Sequence, residues 1–228
     1  MTLEPTDKPP RKAEPEADAP ASASSKGATP RRTQAERTAE SDERMLRAAL
    51  KLIGERGYRG TSLAAIGEEA GYSRGLVNER FGSKDGLLWV LVKNMMTAYR
   101  RDVRANQGTL IGIERLCSVV DSHHRALERH EPIRAFYALM FEALGPIPQL
   151  QQEFQRLHNG FRSAIEQIVR EGVAAGAIRA EVDAAAQAVL LVGAMRGIGF
   201  QWLLDNKAFS LDAAYAELKR NLRWSLAP

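Results

Sequence analysis

The chain has 228 residues, 44% of them hydrophobic and 26% charged, with a formal net charge of +4, so a globular interior with one sizeable core or two small ones is expected. Its longest apolar runs, such as 184–195, contain Gln187 and are shorter than the roughly 18–20 residues that cross a bilayer. No apolar segment follows the first basic residues and the single Cys117 cannot form an internal disulfide, so a membrane span, a secretory signal and a disulfide scaffold are not expected and a cytoplasmic location is.

Residues 1–40 contain Pro5, Pro9, Pro10, Pro15, Pro20 and Pro30, with Leu3 the one large aliphatic side chain. Such a segment cannot build a core and reads as a disordered arm. Its end carries Lys26, Arg31, Arg32 and Arg37 against Glu36, a basic excess that suits either a solvated tail or a DNA-backbone or minor-groove arm.

From residue 41 the apolar period is helical. Met45, Ala48, Ala49, Leu52 and Ile53 share one stripe, which predicts an amphipathic helix opened by Ser41 or Asp42 and stopped at Gly57. Thr61 or Ser62 caps a short second helix in which Leu63, Ile66 and Ala70 share a face, and Gly71 can take the positive φ that ends it. A third short helix follows over 73–80, and Ser83 caps a fourth that runs to about 104.

Residues 71–75, GYSRG, match G-x-S-x-G, which in α/β-hydrolases holds a nucleophilic serine between a buried strand and a helix. Ser73 therefore raises a serine hydrolase as an alternative. The residues before it include Glu68 and Glu69, which do not sit in a central strand, and no HGGG-type oxyanion loop occurs. Ser73 reads better as the N-cap of the third helix.

Two short helices joined by a tight glycine turn behind a packing helix make a helix-turn-helix, whose second helix fits a major groove about 12 Å wide. The run ERMLRAALKLIGERGYRGTSLAAIGEEAGYSRGLVNERFGSKDGLLWVLV, from Glu43 to Val92, resembles the DNA-binding domain of the TetR family of bacterial transcriptional regulators. The resemblance implies phosphate contacts from Ser62 and Lys84, which a helix N-terminus favours, and base-edge contacts from Arg74, Gly75 and Leu76. Arg74 is the prime base reader, since a guanidinium can grip guanine O6 and N7 together. Tyr72 and Arg80 join the implied DNA-facing set, with Arg31 and Arg32 from the arm. Asn78 stands where relatives usually have a tyrosine that bonds a phosphate and packs on the domain, and asparagine is too short to do both, so its role stays open between adenine and solvent. Residues 41–90 carry eight Lys/Arg and seven Asp/Glu, so the placement of Arg74, Arg80 and Lys84 matters more than bulk charge.

Further helices are expected to the C-terminus. Ile113, Leu116, Cys117, Val120, His124 and Leu127 share one face, Pro132 opens another helix, and Phe154, Leu157, His158, Phe161, Ile165 and Ile168 share a third stripe. Cys117, Asp121 and His124 have a spacing that could seat a metal, but no CxxC, HxxxH or HExxH supplies further ligands, so neither metal nor cofactor is expected.

The resemblance implies an effector-binding and dimerisation domain over 91–228, with a pocket drawn from His124, Arg134, Phe136, Tyr137, Met140, His158, Phe161 and Trp202. It also implies that the last two helices pair with those of a second copy. Val189, Gly193, Arg196, Gly197 and Phe200 would face the partner from one helix, and Tyr215, Leu218 and Leu222 from the other. The expectation is an all-α, homodimeric regulator, 1–40 arm, 41–90 helix-turn-helix and 91–228 effector domain. It would act as a repressor that leaves a palindromic double-stranded operator on binding a small, largely apolar effector. Ligand-independent and metal-responsive DNA binding are the remaining alternatives.

Overall fold

Thr33 opens the first helix through a reciprocal cap: its hydroxyl accepts from the Glu36 N–H at 3.2 Å, and the Glu36 carboxylate accepts from the Thr33 N–H at 2.7 Å. The computed structural model describes residues 33–228, which contain nine helices and no strand. Residues 1–32, with Arg31 and Arg32, lie outside the described residues. Helix α1 spans Gln34–Arg56, so the expected start at Ser41 or Asp42 is corrected, and 34–40 belong to the helix rather than to an arm. Ser41 is buried mid-helix, and its hydroxyl donates to the Thr38 carbonyl at 2.8 Å.

Helices α2 (Leu63–Ala70) and α3 (Arg74–Phe81) follow, then α4 (Lys84–Gln107), a continuous helix across the expected boundary at 90. The second half comprises α5 (Gly112–Glu128), α6 (His130–Glu142), α7 (Pro148–Ala174), α8 (Ala184–Leu204) and α9 (Leu211–Leu226). Pro148 sits at the first turn of α7, where its missing N–H costs no helix bond.

The buried stripe of α1, Met45, Ala48, Ala49, Leu52 and Ile53, provides the floor on which α2 and α3 close with Ile66, Ala70 and Val77. On its other side α1 packs against α6, where Gly54 lets the backbone of Ala135 approach. In the second half α5 is central, packed on α4, α7 and α9, while α7 packs on α8. At Gly199 of α8 an added Cβ would stand 2.2 Å from the Tyr137 hydroxyl oxygen, so only glycine lets Tyr137 lie across the helix and donate to the Arg196 carbonyl at 3.2 Å.

Candidate functional site

The turn between α2 and α3 is built from two glycines and two serines. Gly71 takes φ +78°, which ends α2 in the left-handed region, and Gly67 lets the Tyr72 carbonyl approach to within 2.8 Å of where a Cβ would be. Ser62 caps α2 by accepting from the Ala65 N–H at 3.1 Å, and Ser73 caps α3 by accepting from the Leu76 N–H at 3.1 Å. Ser73 is thus a capping hydroxyl between two helices, with neither the strand nor the histidine of a hydrolase beside it.

Val77 is fully buried and anchors α3, which turns Arg74, Gly75, Asn78 and Glu79 outward as one exposed ridge. Eight residues of helix are about 12 Å long, enough to lie along one major groove. Leu76 is half-buried and Tyr72 half-buried beneath the Arg44 guanidinium, 5.3 Å from its ring centroid. Arg80 is exposed, and its guanidinium meets Asp42 of α1 at 3.6 Å and donates to the Thr38 hydroxyl at 3.3 Å, contacts that tie α3 to α1.

At the start of α4, Ser83 accepts from the Gly86 N–H at 3.0 Å, and the Lys84 ammonium lies 4.1 Å from the centroid of the Tyr58 ring. Burial lowers the Lys84 pKa, although Glu142 and Asp85 oppose the shift. The Tyr58 hydroxyl donates to Asp85. The turn after α1 is also held from α6: Glu142 accepts from the Tyr58 N–H at 2.5 Å and the Arg59 N–H at 3.4 Å, so one carboxylate of the second half grips the backbone of the first.

A cavity of about 680 Å³ lies between α1, α4, α5, α6, α7 and α8. Of the eight residues expected to line it, Phe136 and Phe161 do. Tyr137 is buried beside it with its ring edge toward Phe136, while Arg134 is exposed and Met140, His158 and Trp202 are half-buried elsewhere in the second half. Burial lowers the His158 pKa, and the charges of Arg196 and Arg162 add to this. His124 faces α9, stacked on Tyr215 at 4.9 Å and 3.1 Å from Asp212. Its neighbour His123 borders the cavity instead.

The sequence reading missed the α4 wall, where Met95, Tyr99, Asp102 and Val103 recur at helical spacing, and it placed Arg196 on the wrong side of α8. Arg196 points inward, its guanidinium carbon 4.6 Å from the Phe136 centroid and 5.8 Å from that of Phe161. One of its terminal nitrogens meets His123 Nε2 at 3.4 Å, and His123 Nδ1 lies 2.5 Å from the Tyr215 hydroxyl. A guanidinium can only donate, so Nε2 accepts and Nδ1 carries the proton that it donates to Tyr215. Burial, with the charges of Arg196 and His124, holds His123 well below the ordinary imidazole range, in keeping with a neutral ring.

The outer face of α8 is apolar and uncovered. Leu190 is 66% exposed and Leu204 70%, with Val189 and Phe200 beside them, and a Cβ at Gly193 or Gly197 would meet nothing within 4 Å. Helix α8, 21 residues long, could cross a membrane by length and composition only, a test that the core helix of a soluble protein also passes, and its inner face carries Arg196. On α9 the expected interface residues are corrected as well: Tyr215 is 1% and Leu222 4% exposed, both packed inside the protomer, and Leu218 is half-buried. The side chain that α9 does offer outward is Trp224, 84% exposed.

Cys117, Asp121 and His124 do not converge. Asp121 is held by Lys219 at 2.6 Å and Cys117 is buried, and no group of three or more His, Cys, Asp or Glu side chains that could hold a metal occurs among the described residues.

Residues 45–89 match the family described as bacterial regulatory proteins, tetR family, and residues 113–226 match the BetI-type transcriptional repressor C-terminal family. The HTH-type transcriptional regulator HbdR of Aromatoleum sp. (strain CIB) is 37% identical over 82 residues, a match that spans 36% of each chain. The structure of a regulator from Saccharomonospora viridis in complex with choline shares the fold with a TM-score of 0.72 and 24% identity, over 83% of this chain and 99% of that one. The regulator FadR from Bacillus subtilis in complex with stearoyl-CoA shares it with a TM-score of 0.69 and 20% identity, over 79% and 96%. With a capped helix-turn-helix at one end, a cavity-bearing helical half at the other, and family matches over both, the chain belongs to the TetR family of bacterial transcriptional regulators.

Proposed function

We propose that this chain is a ligand-released repressor that binds a palindromic operator as a homodimer and houses a small, largely apolar effector in its interior cavity. The observation that carries the reading is where the cavity lies. It is bounded by Leu46 and Leu50 of α1 and by Leu91 and Tyr99 of α4, the helices that hold α3, and by Arg196 of α8, the helix with the uncovered apolar face. Its volume suits a small organic ligand. A ligand there would favour one arrangement of α4 and α6 against α1, and with it one spacing of the two recognition helices.

Glu142 supplies the route. Ile133 and Phe136 of α6 border the cavity, and Glu142 at the end of the same helix holds the Tyr58 and Arg59 N–H groups. A shift of α6 would therefore move the turn from α1 to α2. Arg74 is assigned to base edges and Ser62 and Lys84 to phosphates, with Asn78 on the same exposed ridge as Arg74. The dimer would pair α8 and α9 with their symmetry mates through Leu190, Gly193, Gly197, Leu204 and Trp224. A protein that meets its operator this way works in the cytoplasm.

The test is selection of bound sequences from random DNA by the full chain, followed by a compound screen for release of the selected site. A palindrome with half-sites about one or more helical turns apart is expected. Failure to enrich any sequence would refute the operator reading, and enrichment without release by any cavity-binding compound would leave a ligand-independent DNA binder.

A further inference from the structure

Arg196 is a half-buried cation without a counter-ion. None of the ion pairs among the described residues includes it, its Nε is buried with no hydrogen-bond partner, and one of its terminal nitrogens makes a long contact with a neutral imidazole. The rest of its surroundings are the Phe136, Tyr137 and Phe161 rings. Arginine does not discharge by losing its proton, so this charge stays on the wall of the cavity. The Tyr99 hydroxyl is also buried without a partner, and its ring lies 5.8 Å from that of Phe161, a ring that the Arg196 guanidinium also approaches. Burial raises the Tyr99 pKa, so the hydroxyl keeps its proton and can donate it.

We propose, on the reading that the cavity is the effector site, that the effector is a monocarboxylate with an apolar body, its carboxylate seated on Arg196 Nε and the Tyr99 hydroxyl. A carboxylate is acceptor-only and bears the missing charge, so it would satisfy both orphaned donors at once. A cationic ligand fits poorly. The one carboxylate on the cavity wall, Asp102, is already paired with Arg125 at 3.0 Å and Arg129 at 4.0 Å, and the guanidinium of Arg196 already lies against the aromatic faces. The wall also carries Arg100, Arg104, Arg115 and Arg129, but Arg115 and Arg129 are paired with Glu171 and Asp102 and Arg100 and Arg104 are exposed, which leaves Arg196 Nε and the Tyr99 hydroxyl as buried donors that a single carboxylate satisfies.

The experiment uses the full chain and three matched ligand series. Straight-chain monocarboxylates from octanoate to hexadecanoate, with phenylbutyrate, are compared with the corresponding alcohols and alkyltrimethylammonium ions, each by calorimetric titration and by release of the selected operator. The best carboxylate is expected to bind about 10- to 100-fold tighter than its alcohol, and the ammonium ion weakest. Arg196→Met should bring acid and alcohol to within about threefold, and Tyr99→Phe should narrow the gap several-fold. Arg196→Met removes a half-buried charge without a counter-ion and is expected to fold, which its melting curve and operator binding report. Gly160→Phe, at a cavity position where an added Cβ meets nothing within 4 Å, should abolish binding of acid and alcohol alike.

An alcohol or ammonium ion that binds as tightly as the acid would overturn the proposal, as would a preference for acid that survives in Arg196→Met. Binding of decanoyl-CoA with no binding of any free acid, or no binding in any series, would overturn it as well. Operator binding, measured in the same samples, separates these results from failure of the regulatory reading itself.

Discussion

Leu190→Ala is the sharpest test of the proposed dimer, because the side chain is 66% exposed in the protomer and contributes little to its core. Fully burying a leucine is worth about 1.5–3 kcal/mol, so covering the exposed two-thirds is worth about 1–2 kcal/mol. A twofold axis counts the residue twice, giving about 2–4 kcal/mol per dimer. Alanine keeps Cβ, which places the expected loss near 2–3 kcal/mol, or roughly a 30- to 150-fold rise in the dimer dissociation constant. Sedimentation velocity over a dilution series reads that constant directly, while the melting temperature of the dissociated protomer should change little. Leu222→Ala is the contrasting control: Leu222 is 4% exposed, so its truncation should cost about 2–5 kcal/mol of protomer stability through a cavity. A dimer constant unchanged within about threefold in Leu190→Ala would refute the area argument and place the interface away from the outer face of α8.

Arg74→Ala should cost roughly 1–3 kcal/mol on the selected operator and relax preference at one base pair per half-site, whereas Lys84→Ala should weaken selected and random DNA alike and flatten the salt slope; competition titrations at several salt concentrations compare the two profiles. Glu142→Ala removes the acceptor for Tyr58 and Arg59 while leaving the DNA-facing ridge intact, so the factor by which an effector weakens operator binding should shrink about fivefold or more, as titrations with and without ligand would report. His123 has a depressed pKa in the folded state, so the unfolded chain takes up its proton first as pH falls; the stability this ring contributes is present above about pH 6.5 and is lost below it by up to about 1.4 kcal/mol per pH unit. Urea unfolding between pH 7 and 5 should show that slope, and His123→Gln should flatten it.

The parts of the fold legible in the sequence are those set by local chemistry. Ser62, Ser73 and Ser83 each cap the helix expected of them, because a serine hydroxyl followed by an apolar stripe acts within one turn of chain. The start of α1 was equally local, in the Thr33 and Glu36 pair, but it stood at the edge of a proline-rich stretch and Ser41 was the more conspicuous hydroxyl. The side of α8 was not legible: the helix is apolar nearly all round, so periodicity cannot tell the face toward Met195 from the face toward Leu190. Arg196 followed that ambiguity to the wrong side. Helix α9 is amphipathic, and there the stripe itself was legible, but a stripe does not tell its own core from a partner, so Tyr215 and Leu222 were given to a partner although His123 and the core already hold them. The pairing of Arg80 with Asp42 was not legible for a different reason, since it joins residues 38 positions apart and leaves no local signal.

The position of Arg196 also bears on how a ligand could act on two surfaces at once. A carboxylate drawn to its Nε would compete with the aromatic faces and with His123 for the guanidinium, and His123 in turn donates to Tyr215 of α9. Both helices proposed to form the dimer are thus one or two hydrogen bonds from the proposed effector headgroup. The apolar body of the ligand would meanwhile lie against Leu46, Leu50 and Met95 of the helices that support the helix-turn-helix. A ligand anchored at only one end would press on one of these surfaces. An amphipathic one would bias both, which is the condition for its differential affinity to change the distance between two recognition helices rather than the packing of one protomer.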